Sequence, residues 1–159
     1  MDEINPFEKN NNLKLAKNYA LNLLARREYS QSELKSKLIR FNLSELEINT
    51  LFDYLVDREF QSDQRFASSF IRASVSALRG RYKIAQELKI KGIEIDIIEQ
   101  AFLDEAIDFD CLCLNRIDKY LKNYDQLNDR KVVEKLKRHL IYHGFSFDEI
   151  NRALKAIND

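Results

Sequence analysis

Cysteine and histidine are the residue types in this chain whose side chains most readily do chemistry, and both are scarce. The two cysteines, Cys111 and Cys113, lie two positions apart. Residues at that spacing do not face each other on a helix, so neither a disulfide nor a shared metal ion is expected from them. The two histidines, His139 and His143, are four positions apart and share one helix face. No carboxylate lies at a ligand-like spacing from them, so the pair predicts a polar helix end, not a metal site.

The chain lacks the residue arrangements on which most enzymes depend. It has no glycine-rich loop for phosphate, no nucleophile elbow, and no serine, histidine and aspartate placed to act together. We therefore expect a protein that is not an enzyme and that needs neither a cofactor nor a metal ion. Binding to a partner is the remaining class of function, and charged side chains are its candidates.

Charged residues alternate in sign along the chain, although the formal net charge is zero. Each block is about one or two helices long, so the folded surface would present both signs. Such a surface can contact a polyanion and a basic protein surface at once. Solvated helix faces that simply differ in sign would give the same pattern, and this alternative stays open. The balance is +5 over residues 13–41, −4 over 43–60, +5 over 61–92, −7 over 93–110 and +3 over 128–145.

Composition predicts an all-α protein. Hydrophobic residues make up 45% of the 159 positions, enough to build cores, whereas one proline and three glycines leave little material for hairpins. No apolar run reaches the roughly 18 residues of a membrane span. The first residues, MDEINPFEKNNN, lack the pattern of a signal peptide, so we expect a cytoplasmic protein without a membrane partner.

Local signals predict where helices start and stop. Three serine–glutamate pairs fit the capping box, in which each side chain satisfies a free backbone N–H at a helix start. Asn42, Gly92 and Gly144 suit the left-handed residue that follows a helix end. Before the first helix we expect a flexible lead over residues 1–12, with Asn12 as the first cap. The three pairs are Ser30 with Glu33, Ser44 with Glu47, and Ser146 with Glu149.

The same apolar pattern occurs three times. Seven positions recur with offsets of 50 and then 52 residues, and each copy includes one of the three stop residues. Each copy would hold three helices, which predicts three tandem three-helix repeats in an elongated or curved array. A compact helical globule is the alternative. The repeats are assigned to residues 13–60, 61–107 and 108–159. The recurring positions are Leu34, Leu38, Asn42, Leu43, Ile48, Leu51 and Phe52, then Ile84, Leu88, Gly92, Ile93, Ile98, Ala101 and Phe102, then Leu136, Leu140, Gly144, Phe145, Ile150, Ala153 and Leu154.

Three segments of the chain carry longer motifs within the repeats. The first is the run Tyr19–Ser30 followed by Glu33, Leu34, Lys37 and Leu38. The second and third segments are Asp63–Ala67, Phe70–Arg72, Gly80, Glu87–Leu88 and Lys91–Ile93, and then Lys135–Leu136, Leu140, Gly144–Phe147 and Ile150. Together they resemble the repeats of the RecX family, the bacterial regulators of the RecA recombinase, and the resemblance covers about residues 14–157.

The resemblance implies a regulator that is not an enzyme and that consists of three tandem three-helix repeats. Proteins of this family bind the RecA–single-stranded DNA filament along its groove. They suppress its ATPase, strand exchange and co-protease activity in recombination, DNA repair and the SOS response. The implied partners are therefore the RecA filament and, directly but weakly, single-stranded DNA, and a monomer is expected.

Eight basic residues are the candidates for contact with the filament or DNA. Arg79 and Arg81 rank first, because the glycine between them would let both side chains project from a turn near a phosphate. Tyr82 could stack on a base. For each residue a solvated surface role is the alternative. The eight are Arg26, Arg27, Arg72, Arg79, Arg81, Lys83, Lys89 and Lys91.

Two other functions remain open. A basic second helix in a three-helix unit also suits a tandem helix-turn-helix protein that binds duplex DNA, although the zero net charge and the acidic block 93–110 count against it. A helical adaptor that binds only protein is the other alternative. Inhibition of RecA ATPase, sequence-specific duplex binding, or no association with DNA would distinguish the three.

Overall fold

The computed structural model describes residues 5–159, and it confirms the prediction of an all-α protein. Ten α-helices and two short 3-10 segments form the regular structure, and no strand occurs in this range. None of these ten helices combines the length and the apolar character that a membrane crossing requires. The helices are α1 (Pro6–Lys9), α2 (Asn11–Leu24), α3 (Gln31–Leu38), α4 (Glu45–Asp57), α5 (Asp63–Ser76), α6 (Arg81–Ile90), α7 (Ile95–Glu105), α8 (Phe109–Tyr120), α9 (Arg130–Tyr142) and α10 (Phe147–Asn158), and the 3-10 segments are Ile39–Phe41 and Tyr124–Asn128.

Within the described chain, α2 to α10 form three tandem repeats of three helices, as the apolar pattern predicts. All three predicted capping boxes are present, with the serine side chain and the glutamate side chain each accepting a backbone N–H. The predicted helix stops are also confirmed, since Asn42, Gly92 and Gly144 have φ angles of 54°, 79° and 93°. These left-handed residues end the second helix of each repeat and start the turn into the third.

The start of the chain differs from the predicted flexible lead. Phe7 on α1 is buried, and its ring meets that of Tyr54 edge-on with the centroids 4.9 Å apart. The cap of α2 is Asn10 and not Asn12, because the Asn10 side chain accepts hydrogen bonds from the amides of Asn12 and Leu13. Burial of one aromatic ring therefore fixes this segment against the first repeat. The first four residues of the predicted lead lie outside the described residues.

Two first helices are shorter than their apolar patterns predict. The pattern favours a helix over residues 13–28, but α2 ends at Leu24. Arg27 turns back there, with its guanidinium carbon 3.5 Å from the Tyr29 ring centroid and Nη1 donating to the Glu28 carbonyl. A helix predicted over residues 108–124 ends at Tyr120, and the 3-10 segment Tyr124–Asn128 follows before Asp129, the cap of α9. In both repeats the first helix therefore ends before its apolar pattern does.

Each repeat has a hydrophobic core of its own. Leu34 and Leu51 are fully buried in the first core. The second and third cores are continuous, because Val75, Ile107 and Phe109 pack against both. Among residues 5–159, no hydrophobic side chain packs against the first and second cores in the same way. The first repeat is therefore joined to the second by other means.

Candidate interaction surface

The second helices of the three repeats follow one another head to tail. The carboxyl end of α6 meets the amino end of α3, where the Ser30 hydroxyl donates to the Lys91 carbonyl at 2.8 Å. The carboxyl end of α9 meets the amino end of α6, where Gly80 N–H donates to the His143 carbonyl at 2.7 Å and Tyr82 N–H to the Gly144 carbonyl at 3.1 Å. We call these contacts the first junction and the second junction. Because the helices point the same way, partial charges of opposite sign meet at both junctions.

Gly80 is required by the second junction. Its backbone angles, φ −78° and ψ 164°, suit any residue. A Cβ at this position, however, would overlap the backbone of Gly144. Close packing, and not backbone freedom, therefore requires glycine at position 80, whereas contact of Arg79 and Arg81 with a partner stays a prediction. Position 80 lies against the next repeat, and the two arginines leave the chain on either side of a tight backbone contact.

Whether a stop residue is glycine or asparagine follows from what packs on it. A Cβ on Gly92 would lie 2.6 Å from the Cβ of Ser32 at the first junction, and one on Gly144 would overlap the Lys83 backbone at the second. Asn42 is the equivalent residue of the first repeat, where the row of second helices ends. Only the left-handed conformation is required there, and asparagine tolerates it.

Five of the eight predicted contact residues form ion pairs within the chain. Arg79 pairs with Glu87 of its own repeat at 2.7 Å, and Lys91 pairs with Glu33 across the first junction at 2.9 Å. A paired side chain presents less net charge to a partner than an unpaired one does. The five pairs are Arg27–Glu33, Arg72–Glu105, Arg79–Glu87, Arg81–Glu99 and Lys91–Glu33.

The other three predicted residues form no ion pair within residues 5–159. Arg26 and Lys89 are exposed, on the turn after α2 and near the end of α6. Lys83 lies over the Tyr142 ring, with Nζ 4.2 Å from the centroid, and so links α6 to α9. Tyr82, the predicted stacking residue, is 66% exposed. The structure thus divides the eight candidates among ion pairs, a junction and free surface, and does not gather them into one cluster.

Seven exposed basic residues on or next to the second helices are not among the eight candidates, and none forms an ion pair in the described chain. They lie in the basic blocks 13–41 and 128–145, so the charge balance along the sequence could have identified them as candidates. The third helices α4 and α7 carry the opposite charge, with four acidic residues each and no basic one. The row of second helices is therefore basic and is accompanied by acidic helices in the first two repeats. The seven are Lys35, Lys37, Arg40, Lys131, Lys135, Lys137 and Arg138.

The two histidines at the end of α9 both contact Arg116 on α8. Arg116 Nε donates to His139 Nε2 at 3.1 Å, and Nη2 lies 2.6 Å from His143 Nε2. Because a guanidinium can only donate, both Nε2 atoms accept, and each neutral ring carries its proton on Nδ1. Burial and the charge of Arg116 hold the pKa of His139 below its ordinary value. Burial, together with Arg116 and other nearby cations, lowers the pKa of His143 to about 4.

The cysteines are two free thiols with different surroundings. Cys111 is exposed, whereas Cys113 is buried in the third core. Burial, reinforced by the charges of Glu149 and Asp110, raises the pKa of the Cys113 thiol to about 12. Such a thiol is not a nucleophile at neutral pH, so its contribution is packing.

Three family models match the chain one after another. They describe the first, second and third three-helix domains of RecX, and they match residues 16–55, 62–101 and 112–154. Each matched range includes the row-forming second helix of one repeat, so the matches run through both junctions.

Relatives match over most of the chain. A regulatory protein RecX of Haemophilus influenzae is 36% identical over 136 residues, which are 85% of this chain and 90% of the relative. A regulatory protein RecX of Mannheimia succiniciproducens is 36% identical over 132 residues, 82% of this chain and 86% of the relative. The crystal structure of RecX from Lactobacillus salivarius aligns with a TM-score of 0.82 at 25% identity, over 93% of this chain and 97% of that one. The three-repeat arrangement is thus found in a solved protein as well.

Proposed function

The chain belongs to the RecX family of regulatory proteins, and we propose that it binds the RecA–single-stranded DNA filament and mainly inhibits its ATPase, strand exchange and co-protease activity. In this proposal it acts in recombination and DNA repair, in the cytoplasm, as a monomer. It supplies no catalytic residue and needs no cofactor. It acts by binding along the filament.

The observation that carries the proposal is the head-to-tail row of second helices. Three similar helices in a row offer a partner the same kind of basic surface three times. A polymer of protein and nucleic acid also repeats, and it carries both signs of charge. The basic row suits phosphates or acidic subunit surface, while the acidic helices α4 and α7 suit basic loops of the protein subunits. A single compact partner would not require this repetition.

Among the predicted contact residues, the proposal favours those whose charge is not already used within the fold. Arg26 and Lys89 are exposed and form no ion pair in the described chain. Arg72, Arg79 and Arg81 keep a place in the proposal only if a partner displaces their carboxylates. The unpaired lysines of α3 and α9 join the contact set, because they lie on the same row.

The test is the rate of ATP hydrolysis by RecA on single-stranded DNA with increasing amounts of the protein. We expect the rate to fall, and an unchanged rate at every dose would overturn the proposal. Binding of a specific duplex sequence without RecA would favour the helix-turn-helix alternative instead.

A charge-reversal pair tests whether the row is the contact surface. Lys35→Glu with Lys89→Glu reverses two exposed, unpaired lysines on α3 and α6, and we expect inhibition to weaken about tenfold or more. Lys14→Glu with Lys155→Glu is the matched control, because it reverses two exposed lysines on helices outside the row that form no ion pair within residues 5–159. If the two double variants lost inhibition equally, the row of second helices would not be the contact surface, although the protein would still be an inhibitor of RecA.

A further inference from the structure

Four aromatic rings of the third repeat form a continuous row along α8 and α9. The ring centroids of Tyr120 and His139 are 4.6 Å apart, those of His139 and His143 are 4.4 Å apart, and those of Tyr142 and His143 are 5.2 Å apart. Tyr120 and Tyr142, at its two ends, are 39% and 72% exposed. The row therefore has two rings open to solvent and two held between them.

Cations surround this aromatic row. Lys83 lies over Tyr142 from the second repeat, and Lys119 is exposed one residue before Tyr120. Neither lysine, nor Arg116, forms an ion pair with a carboxylate within residues 5–159. An open cavity of about 280 Å³ at one end of the row is lined by Arg116, Lys119, Tyr120 and His139. Aromatic and cationic groups meet there without a compensating negative charge.

Arg116 is held in place by acceptors and still has donors to spare. Its nitrogens contact the Nε2 atoms of His139 and His143, and Nη1 donates to the Ala77 carbonyl at 3.4 Å. A guanidinium has five N–H donors, so these three contacts leave two. Burial lowers the pKa of Arg116, as expected for a charge that is partly desolvated and lacks a carboxylate partner. A rigid guanidinium with free donors is suited to an anion, and its fork geometry matches a phosphate.

We propose that this cluster binds a nucleotide, with the phosphate on Arg116 and Lys119 and the base stacked on Tyr120. Phosphate alone would explain the cations but not the exposed ring beside them. A metal ion is not suited, because Arg116 occupies the Nε2 lone pairs of both histidines. Stacking between a base and an aromatic side chain tolerates every base, so the site would not select a sequence. The nucleotide can come from a single strand or exist free in solution, and both present the same chemistry.

The two histidines make this site directly observable, because the chain has no others. Imidazole resonances in NMR spectra of the whole protein therefore report on the cluster alone. We expect both to shift when a short oligothymidylate is added at low salt, in the absence of any recombinase. A larger shift with oligothymidylate than with thymidine monophosphate identifies a strand as the ligand, and the reverse identifies a free nucleotide. Equal shifts with inorganic phosphate or with an acidic peptide would overturn the proposal.

Variants add an affinity readout with a fluorescent oligothymidylate. Tyr120→Ala removes the stacking ring and Lys119→Glu reverses an exposed charge. We expect each to weaken binding about tenfold, in line with the loss of one stacked base. Lys14→Glu is the matched control on the first repeat and should bind as the unmodified protein does.

Binding that is unaffected by Tyr120→Ala, or weakened equally by Lys14→Glu, would overturn the assignment, as would strand binding without movement of the histidine resonances. RecA is absent from all these measurements, so an absence of nucleotide binding would not contradict the proposed regulation of the filament. An unchanged rate of RecA ATP hydrolysis would likewise not contradict the nucleotide site.

Discussion

The two junctions join the repeats at equivalent positions but with different chemistry. The 50- and 52-residue offsets place Lys83 where the first junction has Glu33, and His143 where it has Lys91. At the first junction the two side chains have opposite charges and pair at 2.9 Å. At the second junction, burial and nearby cations that include Lys83 lower the pKa of His143 to about 4, so its ring is neutral at neutral pH. The first junction is therefore stabilised by attraction between opposite charges, whereas the neutral histidine at the second junction avoids repulsion between like charges.

The two junctions also differ in the type of group that forms their other contacts. At the first junction, the Gln61 side chain is only 1% exposed and donates to the Tyr29 carbonyl at 3.2 Å and to Asp63 at 2.9 Å. The backbone N–H of Gln31 also donates to the Asp63 carboxylate. These bonds all involve side chains. The second junction instead relies mainly on two backbone hydrogen bonds and on the apolar residues shared by the second and third cores. Its side-chain contacts are the Arg116 bond to the Ala77 carbonyl at 3.4 Å and Lys83 over the Tyr142 ring. Side-chain changes should therefore affect the first junction, and only backbone crowding should strongly affect the second.

The largest effect is expected from Gly80→Ala, which crowds the second junction. The added Cβ meets the backbone of Gly144, which cannot move without separating the repeats, so we expect a loss of roughly 3 kcal/mol. Gly92→Ala should cost less, roughly 2 kcal/mol, made up of the left-handed backbone and contact with the Ser32 side chain. Urea unfolding of the two variants measures both losses.

A second substitution sharpens this comparison. Ser32→Gly removes the Cβ and Oγ atoms that a Cβ on Gly92 would meet. Combined with Gly92→Ala, it should therefore recover part of the loss, relative to Ser32→Gly alone. Nothing comparable is available for Gly80, because the crowded atoms there belong to the backbone. Greater tolerance of alanine at position 80 than at position 92 would contradict the division between the junctions.

The next largest effect concerns Ser30, which is fully buried at the first junction. Its hydroxyl caps α3 and donates to the Lys91 carbonyl. Ser30→Ala should cost about 2 kcal/mol, from the lost cap and from a carbonyl left without its donor. Ser44→Ala is the matched control, since Ser44 forms the same capping box in an exposed position with no bond to another repeat. Its cost should be about 1 kcal/mol, and equal losses in the two variants would mean that the inter-repeat bond contributes nothing.

Those parts of the fold that depend on local sequence could be predicted from it. A capping box involves residues three apart, and a helix stop such as Gly92 needs one residue with a suitable backbone, so both are readable along the chain. The contact set depends on which distant residues meet. Arg72 pairs with Glu105 across 33 positions, and Arg116 reaches His139 across 23. No spacing rule connects such residues. This is why paired arginines ranked as free contacts, and why the sequence showed the two histidines on one helix face but not their contact with Arg116.

Acidification should weaken the second junction and not the first, and we expect its effect on stability to be smaller than those of the glycine and serine substitutions. The folded pKa of His143 is about 4, below the ordinary value of 6.5, so the unfolded chain takes up a proton first as the pH falls. The stability contributed by the neutral ring is complete above about pH 6.5 and is lost as the pH falls toward about 4. Since the ring is partly exposed, solvent screening limits the loss to the order of 1 kcal/mol.

Glu33 responds in a different pH range. Burial alone would raise its pKa, but the hydrogen bond and charge of Lys91 and the charge of Arg27 outweigh burial and hold the pKa below its ordinary value of 4.5. Its contribution to the first junction is therefore complete above about pH 4.5 and is lost only below that value. Between about pH 6.5 and about pH 4.5 the second junction should weaken while the first does not.

Amide hydrogen exchange can follow each junction separately. The amides of Gly80 and Tyr82 bond across the second junction, and the amide of Gln31 bonds across the first. From about pH 7 to about pH 5, protection factors corrected for the intrinsic rate should fall for Gly80 and Tyr82 and stay constant for Gln31. His143→Gln is the control, because an amide oxygen can accept from Arg116 but does not titrate, and it should remove the change. A parallel fall at all three amides would place the acid sensitivity in the whole fold and not in the second junction.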